Sequence, residues 1–217
     1  MLLMSALLHS NRPPQSTNSP IHTSPRYPYQ VTSTSLPPAK LHQELPVLFT
    51  AGQIAQRTAE IGRQIDADFA GQSVVLVGVL KGAAIFLADL SRSISIDCTF
   101  DFVAVSSYGK GHRSSGAVKL IKDLDQPIEG KNIIIVEDIL DTGLTLAFLR
   151  KLLLQHKPNS LKIAALLDKP SRRLEKIDAD YTGFTIPNHF VIGYGMDYAE
   201  RFRNMPDIRL LPPDFPE

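Results

Sequence analysis

The sequence predicts an α/β fold built on a doubly wound, mostly parallel sheet. Apolar runs of strand length alternate with segments of helical periodicity between residues 73 and 167, which is the pattern of repeated strand–helix units. Two of these runs, residues 73–80 and 131–138, are rich in Val, Leu and Ile, as expected for strands covered on both faces. Because ligands of such sheets bind beyond the carboxyl ends of the strands, polar residues that follow these runs are the first candidates for a functional site.

The N-terminal part of the chain differs in composition from the rest. Eight of the 16 prolines and seven serines lie within residues 1–46, whereas the first acidic residue is Glu44 and the first glycine is Gly52. Such a segment cannot bury enough apolar surface to order itself, so we expect a disordered leader over residues 1–46 and a folded domain over residues 47–217. A solvated tail, an over-extended start site and a Ser-rich, acid-poor transit peptide all agree with this composition.

Composition argues against several classes of protein. Of the 217 residues, 43% are hydrophobic and 21% are charged, which allows one sizeable core. The net charge of +1 argues against binding to nucleic acid or to a membrane surface through bulk charge. No apolar run has the length of a membrane span. Cys98 is the single cysteine, so no intrachain disulfide can form, and we expect a reducing, cytoplasmic location.

Local patterns predict the helices and the remaining strands. Thr50 and Gln53 have the spacing of a capping box, and apolar residues then recur on one face of a helix as far as Phe69. Further helices are predicted over residues 83–91 and 144–155. The second of these would turn the following side chains to one face: Leu144, Ala147, Phe148, Leu152 and Gln155. Further strands are predicted over residues 94–102, 118–124 and 161–167.

The most informative motif lies at the end of the second buried run. Four β-branched residues, 133–136, are followed by Glu137 and Asp138, and the sequence Asp141-Thr142-Gly143-Leu144-Thr145 then opens a helix. Hydroxyls and free main-chain N–H groups at a helix N-terminus suit a phosphate, and paired carboxylates suit Mg²⁺ or sugar hydroxyls. The whole pattern resembles the phosphoribosyl diphosphate (PRPP) binding motif of the purine phosphoribosyltransferases.

Two loops add to this resemblance. The sequence Leu80-Lys81-Gly82-Ala83 is similar to the family's pyrophosphate loop, in which the peptide before the lysine can be cis. Ala83 stands where the family has a second glycine, which leaves the detailed conformation of the loop open. The glycine-containing loop over residues 106–116 resembles the family's lid, and the resemblance places Ser107 and Tyr108 at the start of that lid.

The C-terminal third resembles the base-binding part of the 6-oxopurine branch of the family. In that branch the lysine that matches Lys169 donates to the purine 6-oxygen. The hood segment of the family implies that Phe190 stacks on the purine ring and that the main chain of Val191 contacts the base edge. It also implies that Asp197 ligates a second Mg²⁺ and that Arg203 reaches the pyrophosphate.

Taken together, these matches predict a type I phosphoribosyltransferase fold with a small hood subdomain, formed mainly by residues 171–217. The predicted activity is purine salvage, in which hypoxanthine and/or guanine reacts with PRPP to give IMP or GMP and pyrophosphate. Asp141 is the predicted catalytic base, and Mg²⁺ is the predicted cofactor, held by Glu137, Asp138 and Asp197. The residues expected to bind PRPP are Lys81, Gly82, Glu137, Asp138, Asp141, Thr142, Gly143, Leu144, Thr145 and Arg203. The residues expected to bind the purine are Lys169, Phe190, Val191 and Asp197.

The expected partners are these small molecules and further copies of the chain, in a dimer or tetramer, with neither nucleic acid nor membrane. Three alternatives stay open: a transferase for xanthine or a pyrimidine, an RNA-binding regulator on the same fold, and a catalytically inactive PRPP sensor. Residues 47–217 contain 20 basic and 21 acidic side chains, and this near-neutral balance disfavours RNA binding driven by phosphate contacts.

Overall fold

The computed structural model describes residues 45–107 and 118–212. Almost all of the predicted leader therefore lies outside the described residues. Within the two described ranges, no helix is both long and apolar enough to cross a membrane. The secondary-structure elements, in chain order, are β1 (Val47–Phe49), α1 (Ala51–Asp68), β2 (Val74–Leu80), α2 (Ala84–Ser93), β3 (Cys98–Ser107), β4 (Val118–Lys122), β5 (Asn132–Leu140), α3 (Leu144–Leu154), β6 (Ser160–Asp168), a 3₁₀ turn (Pro170–Arg172), β7 (Tyr181–Thr185), β8 (Val191–Ile192) and β9 (Ile208–Leu210).

Six strands form the main sheet, in the order β4-β3-β2-β5-β6-β7. Strands β3, β2, β5, β6 and β7 run parallel, and β4 joins the edge antiparallel to β3. Apolar side chains of α1 and α2 pack on one face of this sheet, and those of α3 pack on the other. The predicted doubly wound, mostly parallel α/β fold is confirmed.

A second sheet is small and fully antiparallel, with the order β1-β9-β8. Val47 of β1 is paired with Arg209, and Val191 of β8 is paired with Leu210. Strand β1 precedes the first helix, so this sheet joins the beginning of the domain to its C-terminal part. We call this sheet, together with residues 193–207 between β8 and β9, the hood.

The start of α1 follows from the capping box predicted at Thr50. The Thr50 hydroxyl accepts a hydrogen bond from the Gln53 N–H at 3.3 Å, and the Gln53 side chain accepts one from the Thr50 N–H at 2.9 Å. Two main-chain groups that a helix end leaves unpaired are thereby satisfied. Ile54, Ile61 and Ile65 are fully buried against the sheet, as their spacing predicts.

The buried face of α3 differs from the predicted one. The structure buries Leu146, Leu149 and Leu153, whereas the predicted face began at Leu144. Because this helix carries apolar residues nearly all round, its periodicity does not select one face. Its orientation is determined instead by the sheet beneath it. Strand β3 also begins four residues later than predicted, at Cys98.

Candidate active site

A pocket of about 640 Å³ lies at the carboxyl ends of β5 and β6. In the register of the sheet, Leu140 at the end of β5 is paired with Asp168 at the end of β6. The next residues, Asp141 and Lys169, therefore leave neighbouring strands side by side and both line the pocket. Six predicted site residues meet there: Asp138, Asp141, Lys169, Phe190, Val191 and Asp197.

The turn from Asp141 to Thr145 begins α3. Gly143 precedes the helix in the left-handed region, with φ of 83°, and a Cβ added to it would lie 2.7 Å from Ile177 Cγ2. The position therefore requires glycine for both its backbone conformation and its packing. The N–H groups of a first helical turn have no acceptor within the helix, and here the Leu144 N–H donates to Thr142 Oγ1 at 3.5 Å. These groups form a cradle suited to a phosphate.

Arg173 holds this turn in place, and the sequence did not indicate its role. Its guanidinium donates to the main-chain carbonyls of Leu140, at 3.0 Å, and of Asp141, and it also pairs with the Asp168 carboxylate. The Arg173 side chain is only 15% exposed. One partly buried cation therefore joins the two strand ends that carry Asp141 and Lys169. In the sequence, Arg172 and Arg173 form a pair of arginines in a polar loop, which usually indicates solvated charges. No motif distinguished Arg173 from them.

Lys169 is buried at the floor of the pocket, with 7% of its surface exposed. Burial lowers the pKa of Lys169, and the nearby carboxylates of Asp141 and Asp138 oppose part of that effect. Arg172, which also lines the pocket, donates from Nε to Asp141 Oδ1 at 3.2 Å. A donor and an acceptor, Lys169 and Asp141, thus face one cavity of a size that suits a small molecule.

The adjacent acids Glu137 and Asp138 lie near the carboxyl end of β5, which continues to Leu140. Burial raises the pKa of Glu137 well above its usual range, and the charge of Asp138 adds to the effect. Burial also raises the pKa of Asp138, although hydrogen bonds with Glu137 and from the Ile139 N–H, and to a smaller extent the positive charge of Arg203, act in the opposite direction. Glu137 Oε2 is buried and has no hydrogen-bond partner. A cation or a ligand hydroxyl beside the pair would supply what this oxygen lacks.

The Lys81–Gly82 loop packs directly on Asp138. A Cβ added to Gly82 would lie only 1.7 Å from Asp138 Oδ2, so the carboxylate occupies the space that any side chain would need. The peptide between Leu80 and Lys81 is cis, as the resemblance implied. Lys81 does not line the pocket; its Nζ donates to Glu200 Oε2 of the hood at 2.9 Å.

The hood, together with Phe190 directly before β8, supplies the opposite wall of the pocket. The Phe190 ring is 54% exposed and makes an edge contact with the Tyr198 ring at a centroid distance of 5.9 Å. Val191 is buried in β8. Asp197 Oδ1 pairs with Arg203 at 2.8 Å, and Arg203 also donates to the Gly195 carbonyl at 2.8 Å.

The structure places the other predicted residues beside the pocket or outside the described ranges. Glu137, Thr142, Gly143, Leu144, Thr145 and Arg203 flank the pocket without lining it. Ser107 ends β3 with its main chain paired to Val118, and Tyr108, the other predicted lid residue, lies outside the described residues. Six lining residues were not predicted: Ile139, Arg172, Asn188, His189, Met196 and Leu211.

Within the described ranges, no three His, Cys, Asp or Glu side chains cluster closely enough to cage a metal ion. The donor set nevertheless fits Mg²⁺, because that ion is usually bound through one or two carboxylates together with substrate phosphates and water. The unpartnered buried oxygen of Glu137 and the neighbouring Asp138 provide such carboxylates.

Comparison with known proteins agrees with this geometry. Residues 48–199 match the model of the phosphoribosyl transferase domain. A hypoxanthine-guanine phosphoribosyltransferase of Streptococcus agalactiae is 48% identical over 165 residues, which cover 76% of this chain and 92% of that protein. A bifunctional protein TilS/HprT of Listeria innocua is 46% identical over 175 residues, but the chain spans only 27% of its length.

Solved structures give the same result. The crystal structure of a hypoxanthine phosphoribosyltransferase from Staphylococcus aureus superposes with a TM-score of 0.77 at 47% identity, covering 80% of this chain and 95% of that one. The hypoxanthine phosphoribosyl transferase of Trypanosoma cruzi gives a TM-score of 0.74 at 41% identity, with coverage of 78% and 93%. The pocket at the ends of β5 and β6 thus lies in a known scaffold, and the chain belongs to the hypoxanthine-guanine branch of the phosphoribosyltransferase family.

Proposed function

We propose that this protein is a purine salvage transferase that joins hypoxanthine or guanine to PRPP, forming IMP or GMP and releasing pyrophosphate. The observation that carries the proposal is the pairing of Leu140 with Asp168, which sets Asp141 and Lys169 side by side at one pocket. A carboxylate that accepts a proton and a buried ammonium that donates are the two groups needed to bind and activate a 6-oxopurine.

The phosphate turn would hold the sugar at a distance from the reacting bond. Main-chain N–H groups at the start of α3, with Thr142 and Thr145, would bind the 5′-phosphate of PRPP. Glu137 and Asp138 would bind the ribose hydroxyls or the water shell of the metal. Binding energy gained at these remote groups orients the anomeric carbon toward the base.

The base would enter between the main sheet and the hood. Lys169 would donate to the purine 6-oxygen, Phe190 would stack on the ring, and the main chain of Val191 would contact its edge. Adenine carries a donor in place of the 6-oxygen, so a donating lysine at this position rejects it. Asp141 would take the proton from purine N7 as N9 attacks the anomeric carbon.

Pyrophosphate would leave toward the Lys81–Gly82 loop and the hood. Lys81 and Arg203 would stabilise the negative charge that develops on this leaving group. Glu137, Asp138 and Asp197 would hold Mg²⁺, which when bound neutralises part of the same charge. Closing the site would keep water from the cation-like ribose, and the resemblance gives that task to the loop over residues 106–116.

The proposal also covers the oligomeric state and the cellular location of the protein. The reaction acts on small molecules, and the family resemblance supports a homo-oligomer, either a dimer or a tetramer, in the cytoplasm. Sedimentation of the purified chain at several concentrations would measure its oligomeric state.

The decisive experiment is an assay of the purified protein with PRPP, Mg²⁺ and one base at a time. We expect nucleotide formation with hypoxanthine or guanine, no product with adenine, and loss of activity when EDTA removes the metal. Xanthine and the pyrimidine bases test the alternative transferases in the same format. Turnover with none of the bases, under conditions in which the protein is folded, would refute the proposed function.

A further inference from the structure

Three consecutive residues of the hood adopt left-handed backbone conformations. The φ angles are 94° at Gly193, 50° at Tyr194 and 99° at Gly195. Glycine adopts such angles freely, but a tyrosine there costs on the order of 1 kcal/mol. Met196 and Asp197, which line the pocket, follow directly. The strained tyrosine therefore directly precedes the hood residues that line the pocket.

The Tyr194 side chain points away from the pocket and into the main domain. It is 6% exposed, and its hydroxyl donates to Asp89 Oδ2 on helix α2 at 2.5 Å. Arg92 pairs with the other oxygen of the same carboxylate. Burial and the adjacent carboxylate both raise the pKa of Tyr194. The phenol therefore stays protonated and remains a donor across the physiological pH range.

Helix α2 is joined at its N-terminus to the Lys81–Gly82 loop, which faces the hood. It begins at Ala84, directly after the Lys81–Gly82 loop. The hood packs on that loop so closely that a Cβ added to Gly195 would lie 2.1 Å from the Gly82 carbonyl oxygen. Tyr194 thus binds the helix while its neighbour Gly195 contacts the loop that leads into the helix.

A second polar link between these segments is weak. Lys81 and Glu200 form an ion pair at 2.9 Å, but their side chains are 67% and 66% exposed. Exposed pairs of this kind contribute little, because solvent screens them and two long side chains must be ordered. The bond from Tyr194 to Asp89 is the stronger of the two. The tyrosine is buried and the Asp89 side chain is 33% exposed, about half the exposure of either partner in the ion pair, and hydrogen bonds to charged groups contribute more where solvent is partly excluded.

We propose that Tyr194 and Asp89 form a positioning tether that sets the distance between the Lys81–Gly82 loop and hood residues 195–203, and so shapes the pyrophosphate subsite. This inference rests on the proposed function, in which Lys81 on one side and Arg203 on the other contact the same pyrophosphate. The base pocket depends less on the tether, because Asp141 and Lys169 are carried by the main sheet.

Tyr194→Phe is the test, because it removes one hydroxyl and keeps the buried ring. We expect KM for PRPP in the forward reaction, and for pyrophosphate in the reverse reaction, to rise about tenfold, which corresponds to the loss of one hydrogen bond to a charged group. KM for hypoxanthine should stay within about twofold by the same reasoning. Asp89→Asn keeps an acceptor oxygen and should therefore have a smaller effect than Asp89→Ala.

Tyr181→Phe is the matched control. Tyr181 is also buried, and its hydroxyl donates to a carboxylate, Asp68, at 2.7 Å, but it lies on β7 and does not line the pocket. Loss of this bond, and of the one that the same hydroxyl accepts from Lys162 Nζ at 3.1 Å, should lower stability at least as much and leave all KM values unchanged. If Tyr194 contributed only to stability, Tyr194→Phe and Tyr181→Phe would both lower stability and leave the KM values unchanged.

Hydrogen exchange of residues 193–203 separates failure of the tether from failure of the proposed function. Exchange should accelerate there in Tyr194→Phe and not in Tyr181→Phe, whether or not the protein turns over PRPP. If the wild-type protein is active but the two variants share the same KM values, the tether is refuted. An inactive wild-type protein refutes the proposed function, and unchanged exchange in Tyr194→Phe then also refutes the tether.

Discussion

Replacing Gly82 with alanine should displace Asp138 and damage PRPP use while leaving the fold intact. The added Cβ would lie 1.7 Å from Asp138 Oδ2 and 2.5 Å from its Cγ, whereas ordinary contact begins at 3.4 Å. The carboxylate must therefore move by about 1.7 Å, the difference between those distances. Misplacement of a substrate-positioning group by about 1 Å costs on the order of 10²-fold in rate.

We therefore expect kcat/KM for PRPP to fall about 10²-fold, which corresponds to about 2.7 kcal/mol of transition-state stabilisation. Gly82 is not among the glycines with positive φ, so alanine can adopt its backbone conformation. The free energy of unfolding should accordingly change by no more than about 1 kcal/mol. Steady-state kinetics with PRPP as the varied substrate, together with urea unfolding, would measure the two effects separately.

Gly52→Ala provides the control for this experiment. Gly52 lies in the first turn of α1, and the nearest atom to its added Cβ is Thr50 Oγ1 at 4.0 Å. The same chemical change should there leave the kinetics unaltered and raise stability by about 0.5–1 kcal/mol, because alanine favours the helix. If Gly82→Ala retained the wild-type kcat/KM, the contact between Gly82 and Asp138 would not constrain the site, and the reasoning would be wrong.

Three further predictions concern the base side of the pocket. Asp141→Asn should lower kcat by about 10²–10⁴-fold with little change in PRPP affinity; an unchanged kcat would remove Asp141 as the base. Burial lowers the pKa of Lys169, so its ammonium should lose its proton at a lower pH than an ordinary lysine does. Affinity for hypoxanthine should therefore fall as the pH rises through the lowered pKa of Lys169. This alkaline loss should disappear in Lys169→Ala, together with the discrimination against adenine. Arg173→Lys should lower kcat by about tenfold or more by loosening the Asp141 turn. Arg209→Lys, which alters an equally buried arginine paired with Asp207 in the hood, should affect stability alone.

Much of the main domain could be predicted because local rules and tertiary structure agree there. The capping box at Thr50 and the buried runs of β2 and β5 each depend on a few neighbouring residues. The acid-rich turn after β5 was recognisable for the same reason, since Glu137, Asp138 and Asp141 all belong to one strand end. A parallel sheet then brings strand ends together at one edge, so the position of the pocket followed from topology.

The features that could not be predicted depend on contacts between distant parts of the chain. Strand β1 pairs with β9 across about 160 residues, with Val47 opposite Arg209, and no local pattern indicates that pairing. The buried face of α3 was predicted wrongly because a helix that is apolar nearly all round has no single favoured side. The roles of Arg173 and Tyr194 depend on partners in other elements, Asp168 and Asp89.

The distribution of charge explains why the acids of the site stand out in one motif, whereas Lys169 and Arg203 were identified only through the family resemblance. One strand end supplies Glu137 and Asp138 together, and burying two adjacent carboxylates is unfavourable unless positive charge lies nearby. The positive charge comes from separate segments: Arg203 of the hood acts on Asp138, and Lys169 stands at the end of β6. Assembling the site therefore requires the hood to dock on the main sheet. Any substitution that loosens this docking should weaken binding of the anionic substrate before it unfolds the domain, because the carboxylates would then lose their cationic neighbours while the sheet kept its core.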